Sequence, residues 1–343
     1  MELLKRLSEA PGIPGREEEV RRIIEKELKD YVSTLRTDHL GNLIAHRPGE
    51  GPVVAIAAHM DEIGFIVSFI EKETGFVRLH PLGLFDPKTL VSQRVVVHTE
   101  QEELVGCIGS TPVHILKEEE RKKPIELKDL FVDLGLSEEQ VRHRVALGDM
   151  VTLKEDFLTY GDVVSGKAID DRGGLYIGVE AIKRAKKIAC DLFFIGTAQE
   201  EVGWRGARAA GFGVHPQIGI ALDVTLAADV PGISDAEKIT RLGYGVGIKL
   251  VDSTVISHPA LVRTMRKLAE DNAIAYQEEL LPHGGTDAGE LQTAGEGAAV
   301  ITLSLPTRYV HSVVETAHRK DIEAAIELLR VFLETVDQTT LLA

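Results

Sequence analysis

A chain of 343 residues exceeds the usual span of one hydrophobic core, so a large domain with a smaller companion is expected. A formal net charge of −15, with no basic stripe to offset it, excludes nucleic acid and anionic membrane surfaces as natural partners. Hydrophobic residues at 44% and charged residues at 27% exclude a disordered or fibrous chain as well.

Residues 1–16 mix charges with Pro11 and Pro14 and contain no long apolar core. Neither a secretory signal nor a membrane span is expected there, and a cytoplasmic location follows. Over residues 15–31, Val20, Ile23, Ile24 and Leu28 recur at helical spacing, which predicts an amphipathic helix with one buried face. The run 53–58 is continuously apolar, as in a strand covered on both faces, and it stops at His59.

The middle of the chain reads differently. Short β-like runs at 76–79, 94–98, 103–108 and 150–153, with one helix near 137–144, predict an inserted β-rich domain over residues 66–164. Within it, KEEERKK (117–123) mixes signs and reads as a solvated loop. Cys107 and Cys190 lie far apart and outside any CxxC spacing, so a bound metal must be held by histidine and carboxylate. Apolar runs at 192–195, 218–222 and 298–305 then alternate with helical patterns at 175–187, 261–272 and 322–336. That alternation predicts an α/β sandwich built from residues 1–65 and 165–343.

Four apolar runs end in polar clusters: His59-Met60-Asp61, Gln199-Glu200-Glu201, Asp223, and the loop 306–312 that contains His311. Ligands of open α/β sheets bind at the carboxyl ends of strands, so these clusters can share one crevice. Asp170 and Asp171 precede Arg172-Gly173-Gly174 and a helical stretch, where a carboxylate either caps the helix or joins the crevice. Carboxylates gathered in this way repel one another unless cations or protons offset the charge. Two divalent ions would do so, and oxygen and nitrogen donors suit zinc, cobalt or manganese. Such a centre lowers the pKa of water and polarises a carbonyl, while a carboxylate free of metal moves the proton to a leaving amine. Consecutive Glu200 and Glu201 point different ways in extended chain and can divide these duties. Asp61, two residues after His59, can reach the second imidazole nitrogen and orient the ring.

The motifs AAHMDEIGF (57–65), GKAIDDRGG (166–174), GTAQEEVGWRGA (196–207), ALDVT (221–225), GGTDAG (284–289) and RYVHS (308–312) resemble the M42 family of metallo-aminopeptidases, in order along nearly the whole chain. The resemblance implies an α/β/α sandwich of the co-catalytic metallopeptidase type, with the β-rich insertion as a dimerisation domain. It implies that His59 and Asp223 hold one metal, Glu201 and His311 the other, and Asp170 bridges them, most naturally zinc or cobalt. Glu200 becomes general base and acid, and Asp61 supports His59. A cis Asp170–Asp171 peptide, short peptides with a free N-terminus as substrates, and a dodecamer built from dimers are implied in the same way. The 284–289 loop is expected to line the substrate pocket, with His283 at its rim or simply exposed.

Three other readings compete. A co-catalytic deacylase of N-acyl amino acids could use the same site. A polysaccharide hydrolase is disfavoured because its paired carboxylates flank a sugar at about 5–9.5 Å and come from separate elements. A non-catalytic peptide-binding scaffold fits poorly, because no proposed ligand or base is missing.

Overall fold

The computed structural model describes residues 1–341. Its largest element is an 11-stranded sheet. At the centre four strands run parallel: Asp191–Thr197, Val53–His59, Ile218–Leu226 and Ala299–Arg308. Antiparallel strands extend it outward, Leu43–Arg47 and Thr34–Thr37 on one side, Glu315–His318, Val163–Gly166 and Leu158–Tyr160 on the other. Val246–Val251 pairs with Ala299–Arg308 and carries Tyr276–Leu280 beside it.

Both faces of the central strands are buried, which is why their sequences are apolar without alternation. The side-chain period of two nevertheless sorts them. Val54, Ile56, Ala58, Ile218, Ile220 and Leu222 point into the main core, shared with the helices Glu2–Glu9, Glu18–Leu28, Ile169–Arg184, Pro259–Asp271 and Arg319–Thr335. The small side chains Ala55, Ala57 and Ala221 face the opposite layer, formed by Arg205–Val214 and Ala288–Gln292. Close approach is built in at Gly178, where a Cβ would sit 2.3 Å from the Phe194 ring. This is an α/β/α sandwich.

A second unit interrupts the sandwich. Gly64–Ile70, Val77–Leu82, Phe131–Asp133, Glu103–Gly109, Arg94–His98 and Met150–Leu153 close into a six-stranded barrel. It has its own core, including Phe65, Val97, Ile108, Val132 and Val151. The helix Glu138–Arg144 covers it, started by a capping box in which Ser137 and Gln140 exchange hydrogen bonds. The barrel strands span Gly64 to Leu153, whereas Leu158–Tyr160, inside the 66–164 insertion as bounded from sequence, and Val163–Gly166, which straddles its end, pair with the large sheet. Short β-branched runs look alike whichever sheet they join, and only pairing separates them. No helix among the described residues is long and apolar enough to cross a membrane.

Candidate metal centre and active site

Sheet register assembles the site. His59 ends its strand directly beside Thr197, and the chain after Thr197 turns through Gln199, at φ 58°, to deliver Glu200 and Glu201. Asp223 lies on the next parallel strand, and the hairpin between Ala299–Arg308 and Glu315–His318 carries His311. Asp170 enters from the start of the helix Ile169–Arg184, across a cis Asp170–Asp171 peptide. Asp171 serves as the cap: its Oδ1 accepts from the Gly174 N–H at 2.9 Å and its Oδ2 from the His59 N–H at 3.3 Å.

Asp170 stands between two imidazoles, its Oδ1 3.0 Å from His59 Nε2 and its Oδ2 3.4 Å from His311 Nε2. Glu201 Oε1 is also 3.4 Å from His311 Nε2. Two donor sets therefore overlap at Asp170, namely His59, Asp170 and Asp223, and Asp170, Glu201 and His311; a third groups His59 with Glu200 and Glu201. Within each set the ligand atoms lie within 4.8 Å of one another. Hard oxygen and imidazole donors in this arrangement fit divalent first-row ions and contain no thiolate.

Three acceptor groups behind the site set its geometry. The Asp61 backbone carbonyl lies 2.9 Å from His59 Nδ1 and can only accept, so it fixes a proton there and turns Nε2 toward Asp170. The Asp61 carboxylate, expected on that nitrogen, is instead taken by the backbone N–H groups of Glu200 at 3.0 Å and Glu201 at 3.1 Å, and stays 3.7 Å from the ring. Two adjacent amides in a turn are the stronger claim on a buried carboxylate. Glu315 repeats the device: its Oε2 accepts from the Asp170 N–H at 2.9 Å and its Oε1 from the His311 N–H at 2.7 Å. Sequence reading missed Glu315, because nothing in residue type or spacing marks a lone glutamate four positions after a candidate ligand.

The crowding perturbs His59, Asp170, Glu200, Glu201, Asp223 and His311. Burial, with Asp223, Glu201 and Asp287 nearby, pushes Glu200 well above the usual carboxylate range against the pull of His59. Burial and Asp170 raise Asp223 in the same sense. Burial would lower the histidines, yet Glu200, Asp170 and Asp61 hold His59 well up, and Asp170 and Glu201 carry His311 to about 12. Burial would raise Asp170, but His311 and His59 hold it below its ordinary value. Balanced by protons alone, such a cluster keeps both imidazoles charged; divalent cations relieve the same repulsion without them.

The cluster forms the wall of a pocket of about 360 Å³ that is also lined by Trp204, Leu281, His283, Gly284 and Gly285. The 284–289 loop therefore contributes only its first two glycines; Asp287 turns inward, where its Oδ2 accepts from the Thr197 hydroxyl at 2.5 Å.

A family model described as M42 glutamyl aminopeptidase matches residues 41–328. The chain belongs to the M42 peptidase family. The lysyl aminopeptidase of Pyrococcus furiosus is 35% identical, over 97% of this chain and 96% of its own. Among solved structures, the TET aminopeptidase of a marine sediment archaeon of the Thaumarchaeota superposes with a TM-score of 0.96 at 36% identity, covering 99% and 97% of the two chains. The Pyrococcus horikoshii TET1 peptidase, which can assemble into a tetrahedron or a large octahedral shell, gives 0.87 at 34% identity, with 97% and 98% covered. As an M42 member the chain is a metal-dependent aminopeptidase acting on peptides.

Proposed function

We propose that the site holds two divalent ions, most naturally zinc or cobalt, with His59 and Asp223 on one, Glu201 and His311 on the other, and Asp170 between them. The observation that carries this reading is Asp170 itself, whose two oxygens face different imidazoles. Ions held there would supply Lewis-acid polarisation of the scissile carbonyl and a water of lowered pKa.

The remaining work falls to the protein. Glu200 lines the pocket beside both donor sets, with His59 the nearby group that favours its ionised form, so it takes the proton from the attacking water and delivers it to the leaving amine. Its backbone is fixed by Asp61, which keeps that carboxylate within reach of the reacting atoms. The substrate is a short peptide with a free N-terminus.

Glu200→Gln should leave two ions per chain by elemental analysis while lowering kcat at least a hundredfold on an aminoacyl-p-nitroanilide. Retained turnover would remove Glu200 from the chemistry; loss of metal would make it a ligand. We further propose that the chain forms a dodecamer built from dimers, joined through the barrel. Support comes from the shell-forming TET1 relative, and mass photometry of the purified protein tests it.

A further inference from the structure

The pocket that receives the substrate has two unlike walls. One is the charged cluster already described. The other is apolar: Leu84, Trp204, Leu226, Leu281 and Val310 line it. Leu84 is 78% exposed and Leu226 45% exposed, so this side presents bare hydrocarbon directly beside the proposed metals. Trp204 is held in place by the glycine loop, since a Cβ at Gly285 would fall 2.9 Å from the indole and 2.4 Å from Thr254.

Outside the catalytic cluster, His283 is the single titratable side chain among the lining residues. None of them is lysine or arginine, and the carboxylates present all belong to the cluster. Lys249 is close enough for its charge to act on Asp223, but it is fully buried and held by Glu279 at 3.1 Å and Asp252 at 3.5 Å. It therefore cannot meet a substrate carboxylate.

Against the Leu84, Leu226 and Leu281 wall a charged substrate side chain would lose water and meet only hydrocarbon, whereas an aliphatic or aromatic one would cover surface that is otherwise wet. Resting on the metal-site reading above, we infer that this aminopeptidase selects N-terminal residues with uncharged, apolar side chains, and that the Leu84, Leu226 and Leu281 wall is what selects them.

The test is kcat/KM on leucyl-, lysyl- and glutamyl-p-nitroanilide, with N-acetyl-leucyl-p-nitroanilide beside them and metal content measured on the same preparation. Leucine should exceed lysine and glutamate each by at least tenfold, as expected when one apolar pocket discriminates by fit and desolvation. Lysine or glutamate ranking level with leucine overturns this inference alone. Cleavage of the acetylated compound in place of the free amines overturns the free-N-terminus reading given above, no turnover by metal-loaded enzyme overturns the catalytic role given to the site, and either removes this inference with it. A second variant locates the selecting wall: Leu226→Asp, at a half-exposed position that tolerates a carboxylate, should raise the lysine-to-leucine ratio at least tenfold, mainly through KM. An unchanged ratio in soluble, metal-loaded variant would show that the side chain does not lie against this wall.

Discussion

The barrel and the sandwich solve the folding problem with opposite materials. The barrel core is hydrocarbon, Phe65, Val95, Val97, Ile108, Val132 and Val151, and its strands are joined by ordinary ladders. The sandwich buries, beneath its active site, the ion pair of Lys167 with Glu62 at 2.6 Å and the fully enclosed Arg172, which donates to the carbonyls of Ala10 at 2.9 Å and Gly12 at 3.3 Å. Apolar burial is non-directional and stabilises wherever shapes fit, while buried charge is costly unless each atom is paired and held. The difference teaches that the sandwich gives up some stability to hold six ionisable groups close together, and that clamps such as Asp61 and Glu315 make the arrangement persist.

This contrast can be broken from either side. The largest expected effect is in the barrel: Ile108→Ala should cost roughly 2–5 kcal/mol by cavity formation, measured by urea unfolding. It should leave kcat per folded molecule and metal affinity unchanged, and a changed metal affinity would show that the two units are not energetically separate. In the sandwich, Glu315→Gln replaces two acceptor oxygens with one, turning an amide NH₂ against a backbone N–H. Chelator competition should show a 10–100-fold loss of metal affinity, as for other groups that orient ligands, with an altered visible spectrum of the cobalt-loaded protein. Unchanged affinity and spectrum would reduce Glu315 to a packing residue.

The smallest effect concerns pH. Burial, with Asp61 adding, raises the Glu17 carboxyl to about 7, although its Oε1 accepts from the N–H groups of Gly15 at 2.7 Å and Gln199 at 3.1 Å. The folded state therefore holds this proton more tightly than the unfolded chain, whose value is 4.5. The contribution is complete below pH 4.5 and is lost as pH rises through about 7. Glu17→Gln keeps the accepting oxygen and removes the ionisation. It should flatten the decline in stability between pH 5 and 8 by roughly 1–2 kcal/mol, read from Tm against pH. An identical slope in both proteins would place the titration elsewhere.

Much of this was legible in the chain itself. Strands buried on both faces must be apolar throughout, so 53–58, 192–195 and 218–222 announced the parallel centre of the sheet, and a polar residue at each carboxyl end announced the crevice. Less visible were the edge strands Thr34–Thr37 and Leu158–Tyr160, whose half-exposed composition resembles that of loops. Ser137 and Gln140, a capping pair in plain sequence, started their helix where the pattern placed it.

What residue type and spacing determined, then, was the grammar of the fold and the identity of the chemically able side chains, His59, Asp170, Glu200, Glu201, Asp223 and His311. What only the tertiary structure decided was how those atoms face one another: that Asp61 lends His59 its carbonyl and gives its carboxylate to the Glu200 and Glu201 amides, that Asp171 rather than Asp170 caps the helix, and that Glu315 joins two distant ligands. The hydrogen bonds among these that join distant parts of the chain, from Asp171 to His59, Asp61 to Glu200 and Glu201, and Glu315 to Asp170, span 112 to 145 residues. They depend on which backbone groups the packed sheet leaves without partners, and no local pattern in the chain records that.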